Sequence, residues 1–457
     1  METIEQNESI NDFESILKDY IVPLFDVEHK LESIKIPKAN NGYVSYNSCD
    51  EGENYTYSFY PVQSNSDFHF DLQTNSSHTL KKPVEKILEE LMSANKSLVR
   101  NDKSNETNKI YNKRILDTAF ELGMCKWLAS DEGSTILFSL LSRLKMWAGR
   151  TYEGKRVPFG IVIDFNQEVD ASDTQDYLNF LDSKNSALFT DGVFSGVLLD
   201  KRGNLVSYIT HDSCDDIVDK KVFVPYPHEG ISKYCDKRVG LIALGNGEIL
   251  LLKKHAVKFA WRDNKWVFFD WKRISERITP YFGLAKQLSK ETVSDYVREA
   301  YCTLLDVSFS HSGGCFCIIA PCISDTTINS VIKERIDSDE YFKKINDVNQ
   351  EKLNVVRRLI GDKQSFFEFK RPLRKEILAM DGATAVFPDG KLCCAGSIVL
   401  IEGTSTDGAR LAAAKNLAKL GVGIKISEDG AIEAYGLDLS SGNPNSDQKT
   451  IKLFKIC

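Results

Sequence analysis

Apolar residues recur at helical spacing twice in the first hundred positions. They do so across Ile10 to Tyr20, and again at Val84, Ile87, Leu88, Leu91 and Met92, where the spacing predicts a helix over 81–98. Between them, Asn40 to Ser76 is polar, rich in Asn, Ser and Tyr, and shows no clear period. The polar run SLVRNDKSNETN then reads as a boundary. Helical spacing returns over 108–150, in ILDTAFELGMCKWL and ILFSLLSRLKMWAG. Short strand-like runs follow: FGIVIDF at 159–165, GVLLD and LVSYIT within 196–210, GLIALGNGEILLL, and AVKFAW with KWVFFDW. The last two predict a β-hairpin across Arg262-Asp263-Asn264, with Trp261 and Trp266 flanking the turn and packing on each other or on the core.

The remainder runs through the same order of elements. A helix over 290–306 leads into SGGCFCIIAP, a strand entered through two glycines. A charged helical segment over 340–361 precedes strands on both sides of Asp389-Gly390, and an alanine-rich helix, Ala409 to Leu420, precedes a strand from Gly423. GLIALGNGEILLL from Gly240 and GIKISEDGAIEAY from Gly423 align without gaps, placing Gly247 on Gly430 and Ile249 on Ile432. Upstream, Asp191-Gly192 precedes a strand pair much as Asp381-Gly382 does, and WAGRTYEGKRVPFGIVI parallels VSFSHSGGCFCII. The expectation is an α/β protein of mixed sheets flanked by helices. It has a partly helical N-terminal region over 1–105, a first repeat over 106–275 that ends in the hairpin, and a second over 276–457.

Composition narrows the functional classes. The chain is 42% hydrophobic, 27% charged and 10% aromatic, as in an ordinary globular protein, and 457 residues suffice for two or three domains. A net charge of −7 provides no general attraction for nucleic acid or anionic membrane. The longest apolar runs, IVLI at 398–401 among them, fall short of the ~18 residues of a membrane span. With an acidic, polar start, METIEQNESINDFE, the expected location is the cytoplasm. Eleven cysteines do not suggest a disulfide framework. Cys315, Cys317, Cys322, Cys393 and Cys394 lack zinc-knuckle spacing and read as small buried hydrophobes. Seven scattered histidines form no HExxH pattern and no close pair.

Candidate chemistry concentrates near the carboxyl end. Asp381-Gly382-Ala383 precedes a strand, and on the motif alone turn chemistry is the weightier reading. In EGTSTDGARLAAAKNLAKLG, Thr404, Ser405, Thr406 and Asp407 are N-cap types ahead of a helix, with Gly408 at its start. Such a helix start suits a phosphate, and Arg410 in the first turn adds a charge-assisted fork. Asp407 puts a negative charge in the same place, so a capped surface helix accounts for the segment equally well. His311, with Gly313 and Gly314, stands at the entrance to the glycine-led strand, where it can contact a base or simply belong to the loop. Tyr152, in the corresponding loop of the first repeat, is either a stacking platform or a packed side chain. FKRPLRKE at 369–376 reads as a solvated charged face rather than an anion site.

In this order and spacing, SGGCFCII, ILAMDGA, GARLAAA and SEDGAI make residues 295–436 resemble the diadenylate cyclase domain of the bacterial DNA-integrity-scanning protein, which condenses two ATP molecules into cyclic di-AMP. The resemblance implies tandem cyclase-like domains after the N-terminal region. It also implies a pocket formed by Asp381, Gly382, Ala383, Thr404, Ser405, Thr406, Gly408, Arg410, His311, Gly313, Gly314, Ser427 and Glu428. In active members the DGA aspartate helps hold Mg2+ or Mn2+ and an RHR motif holds the triphosphate. Here the GTRHRAA loop of the family is Gly408-Ala409-Arg410-Leu411-Ala412-Ala413-Ala414, so the first arginine alone remains.

The expectation is therefore a nucleotide or cyclic-dinucleotide sensor, such as those of bacterial conflict and antiphage systems, acting through an unidentified effector protein. It would work as a homodimer or an internal pseudo-dimer. The alternatives are an active metal-dependent nucleotidyltransferase, with Asp381 as its catalytic and metal-binding carboxylate, and a ligand-free interaction module.

Overall fold

The computed structural model describes residues 13–25, 31–35, 44–48, 55–59, 68–74, 80–98, 106–149, 151–152, 155–156, 158–169, 190–210, 222–283, 288–321, 323–333, 335–336, 365–401, 408–437 and 450–456. Helical turns over 13–25 come first. The polar stretch then supplies four strands, β1 (Leu31–Lys35), β2 (Val44–Ser48), β3 (Tyr55–Phe59) and β4 (Phe68–Thr74), in a sheet of order β1-β4-β3-β2. Sequence reading missed this sheet. Tyr57, Phe59 and Leu72 are buried there, in a stretch of sequence where polar residues dominate.

Helix α1 (Lys81–Asn95) buries Val84, Ile87, Leu88 and Leu91, the face expected from their spacing, against α2 (Glu106–Ala148). Ser130 breaks α2 with φ 64° and ψ 174°, between its two apolar stretches, and the Lys253 ammonium donates to the carbonyl of Leu128 just before the break. A short ribbon, β5 (Thr151–Tyr152) with β6 (Lys155–Arg156), leads into β7 (Phe159–Asp164). Next come β8 (Ser195–Asp200), β9 (Leu205–Thr210), β10 (Val239–Ala243), β11 (Ile249–Lys253), β12 (Ala256–Arg262) and β13 (Lys265–Phe268). Strands β12 and β13 form the expected hairpin, with Trp261 opposite Trp266 and ring centroids 5.2 Å apart.

The remaining elements are α3 (Trp271–Gly283), α4 (Lys290–Phe309), β14 (Gly314–Ile319), α5 (Asp325–Val331), α6 (Arg371–Leu378), β15 (Ala383–Val386), β16 (Leu392–Ser397), α7 (Ala409–Leu417), β17 (Gly421–Ile426), β18 (Ile432–Leu437) and β19 (Thr450–Ile456). The charged segment over 340–361 lies outside the described residues. The chain divides into two units, one of residues 1–222 with 227–269, the other of 223–226 with 270–457. The core of the first runs from Phe13 through α1 and α2 to Phe268, so the N-terminal segment shares it.

The larger sheets have one order. The first is β9-β8-β7-β10-β11-β12-β13 and the second β16-β15-β14-β17-β18-β19. In each, one neighbouring pair is parallel, β7 with β8 and β14 with β15, and all other pairs are antiparallel. The gapless alignment of β10-β11 with β17-β18 matches the turn hydrogen bonds: Leu244 N–H donates to Glu248 and Gly247 N–H to Leu244, as Ser427 does to Ala431 and Gly430 to Ser427.

The pairing of Asp191 with Asp381 is corrected. Val162 lies between Leu198 and Gly240 as Cys317 lies between Ala385 and Gly423, and the Asp200–Asn204 hairpin bond corresponds to that of Phe387–Lys391. Counting back along the strand, the residue equivalent to Asp381 is Phe194, and Asp191 sits earlier in its own loop.

The segment 369–376 is corrected as well. Arg371 and Arg374 are buried, at 9% and 1% exposure. Arg371 donates from Nε to Asp306 Oδ2 at 2.9 Å and from Nη2 to Oδ1 at 2.6 Å, with further bonds to the carbonyls of Val224 and Cys302. Arg374 donates to Glu299 and to the Phe367 carbonyl. These two side chains fasten α6 to α4.

Burial pushes the Glu299 carboxyl up, but the Arg374 and Arg298 guanidinium groups outweigh it and hold the group below its ordinary value of 4.5. A carboxyl lowered by folding contributes stability that is complete above its unfolded value and is lost as pH falls through the folded one. Unfolding midpoints across acid pH should therefore decline more steeply for the wild type than for Glu299→Gln. Equal slopes would show that no charged Glu299 is being held.

Candidate functional site

A cavity of about 680 Å³, lined by five of the sequence-predicted residues, Gly313, Gly314, Asp381, Gly382 and Arg410, but not by Ser427 or Glu428, lies entirely within the second unit. Its walls come from four segments: the start of β14 at Gly313-Gly314, the α6–β15 turn at Met380-Asp381-Gly382, the end of β16 from Gly396 to Val399, and the first turn of α7 at Ala409-Arg410. A volume of this size falls in the range of small-molecule sites.

Each wall has a local cause. Strand β14 is apolar and buried along its whole length, as a central strand covered on both faces must be. It pairs in parallel with β15 and antiparallel with β17, bringing the glycine pair beside the α6–β15 turn. Gly382 has φ +102°, and a Cβ there would stand 2.5 Å from the carbonyl carbon of Gly396, so the two walls touch through bare backbone. Gly313, at φ +67°, lies beneath Arg410, whose Nη1 would be 2.8 Å from an added Cβ. Val331 and Lys333 fix the 398–401 segment: Leu400 N–H donates to the Val331 carbonyl and Lys333 N–H to that of Ile398.

Asp381 is exposed on this cavity, and its carboxylate has no hydrogen-bond partner among the described residues. Asp191 shows the contrast. Its Oδ1 accepts from the amides of Val193, Phe194 and Ser195 and from the Ser195 hydroxyl. Burial pushes that carboxyl up, yet these donors prevail and hold it below its ordinary range. Asp191 is consumed by its turn, whereas Asp381 remains available.

Arg410 donates from Nη1 to Glu428 Oε1 at 2.9 Å. Glu428 and Ser427 lie in the β17–β18 turn, tied to the end of α4 by the Ser308 hydroxyl on the Gly430 carbonyl and by the His311 ring, whose Nδ1 is 2.7 Å from the Glu428 carbonyl oxygen. His311 is therefore a brace behind the rim and is not among the lining residues. Ala383 is buried in β15 and also stands back from the surface of the cavity. Gly408 is the N-cap of α7 and borders a shallower depression with Leu411 and Lys425. Thr404, Ser405 and Thr406 lie outside the described residues, as do Asp407, Cys322 and the Tyr152 side chain.

Cys315, Cys317, Cys393 and Cys394 are buried in the core of the second unit, as expected. Burial pushes the Cys315 thiol up to about 12, making it a neutral part of the cavity floor. No cluster of three or more metal-ligating side chains occurs among the described residues. Asp381 can supply one carboxylate to a cation carried in by phosphate oxygens, the usual manner of Mg2+. Among the described residues no helix is long and apolar enough to cross a membrane.

Sequence reading missed Met380, Gly396, Ser397 and Ile398. The available signal was Gly396, a glycine inside an apolar strand pattern, which often marks a bulge or close backbone approach. The β15–β16 register does shift, between Ala383 and Ala385 and between Ala385 and Val386. Searches against protein-family models, curated proteins and solved structures return no match for this chain.

Proposed function

We propose that the second unit is a diadenylate-cyclase-like domain that binds a nucleotide or cyclic dinucleotide in the cavity beside Asp381 and reads it without converting it. The observation that carries this reading is convergence: the glycine pair, the Asp-Gly turn and the arginine, distant in sequence, border one cavity, and Asp381 is uncommitted there. The weak phosphate clamp supports reading over turnover. Leu411 packs on the core and Ala412 is buried, so these positions, histidine and the second arginine in the family's motif, bring no charge to the cavity. Phosphoryl transfer depends on neutralising charge that develops on the phosphates. Output then passes to an effector protein, in keeping with a bacterial conflict or antiphage signalling role.

The test is a melting-shift panel of the full chain with ATP, cyclic di-AMP and other cyclic nucleotides plus Mg2+, with the same samples analysed chromatographically. A ligand at ~100 times its dissociation constant should stabilise by ~2.7 kcal/mol. Asp381→Ala and Arg410→Ala should each remove most of that shift, and saturable binding unchanged in both would refute this site. The free Asp381 carboxylate also favours a second reading, a metal-assisted nucleotidyltransferase. That reading requires product from ATP that disappears in Asp381→Asn.

A further inference from the structure

The charge around the cavity restricts what it can hold. Arg410 is the one cationic side chain among the described lining residues, and Asp381 faces the same space with the opposite sign. The Arg410–Glu428 pair is open to solvent, the two side chains being 43% and 71% exposed, so it is weak and its guanidinium can turn to another anion. His311 and Ser308 hold the backbone of the Glu428 turn in place, which keeps its carboxylate within reach of Arg410. Lys425, the cation beside Arg410 at the outer depression, already faces Glu433 at 3.7 Å.

We infer that this cavity discriminates by phosphate charge: it accepts a nucleoside carrying no more than phosphodiester charge, as in a cyclic mono- or dinucleotide, and disfavours nucleoside polyphosphates. The inference rests on the nucleotide-binding reading above and assigns the ligand class of that site. A phosphate that draws Arg410 away leaves the Glu428 carboxylate uncompensated beside it. Each further phosphate charge then adds repulsion from Glu428 and Asp381 that no described lining cation offsets.

Calorimetric titration of the full chain in metal-free, low-salt buffer tests this. The probes are the nucleoside, 3′,5′-cyclic monophosphate and triphosphate of adenine and of guanine, with cyclic di-AMP and cyclic di-GMP. Within the base series that binds, the triphosphate should bind at least ~10-fold more weakly than the cyclic monophosphate. The gap should narrow in ~1 M salt, where exposed charges are screened. Glu428→Gln, which keeps the carbonyl contact to His311, should strengthen the triphosphate more than the uncharged nucleoside. A triphosphate that binds tightest, or a gap unmoved by both salt and Glu428→Gln, overturns charge discrimination while nucleotide binding stands. Failure of every probe to bind overturns the nucleotide reading and this inference together.

Discussion

Arg371→Met should destabilise the second unit by about 3–5 kcal/mol, the usual cost of removing one partner from a buried ion pair. Asp306 would remain buried, retaining the Tyr226 amide as a donor at 2.7 Å but no countercharge from Arg371. The carbonyls of Val224 and Cys302 would also lose the guanidinium. In a unit of this size a loss of that order lowers the melting midpoint by roughly 10 °C. Hydrogen exchange resolved by peptide should locate the loosening in α4 and α6. Adding Asp306→Leu should cost less than the first substitution did, because the stranded charge is then gone. Full additivity of the two changes would show that the pair contributes nothing as a pair.

Gly382→Ala should weaken the fold and, under the nucleotide-binding proposal, abolish ligand-induced stabilisation at the same time. The backbone conformation alone, at φ +102°, costs a residue with a Cβ about 1–3 kcal/mol. The methyl group would also meet the Gly396 carbonyl carbon at 2.5 Å, forcing apart the α6–β15 turn and the end of β16, two walls of one cavity. The control is Gly408→Ala, where an added Cβ meets nothing within 4 Å and φ is −61°. That variant should melt as the wild type does. If Gly382→Ala keeps both its midpoint and its ligand response, the cavity walls are not joined as described.

Several features were legible because they are local. The Arg262-Asp263-Asn264 turn predicted a hairpin, and Asp263 and Asn264 do adopt positive φ, at 45° and 61°. Val84, Ile87, Leu88 and Leu91 predicted the buried face of α1. The equivalence of β10-β11 with β17-β18 followed from glycine and isoleucine spacing alone. Asp191 and Asp381 show where local reading fails: both precede glycine and a strand, but pairing with β7 and β14 places them at different positions in their loops. The run at 369–376 fails for a related reason. Its arginines look like a solvated face until the carboxylates of Asp306 and Glu299, 65 and 75 residues away, are brought against them.

The sequence by itself determined the α/β class, the positions of most helices and strands from Lys81 onward, the repeated order of elements and the residues around which a site should be sought. Periodicity, caps and turn residues act over a few positions, so one dimension suffices to read them. Tertiary structure alone decided which Asp-Gly turn has a carboxylate to spare, that His311 braces a turn instead of facing the cavity, and that Arg410 is shared with Glu428. It also revealed strands in the N-terminal stretch, where polar residues dominate the sequence. These outcomes depend on which groups meet after strands pair and helices pack. Whether a charged group is free, paired or buried is a property of those distant neighbours.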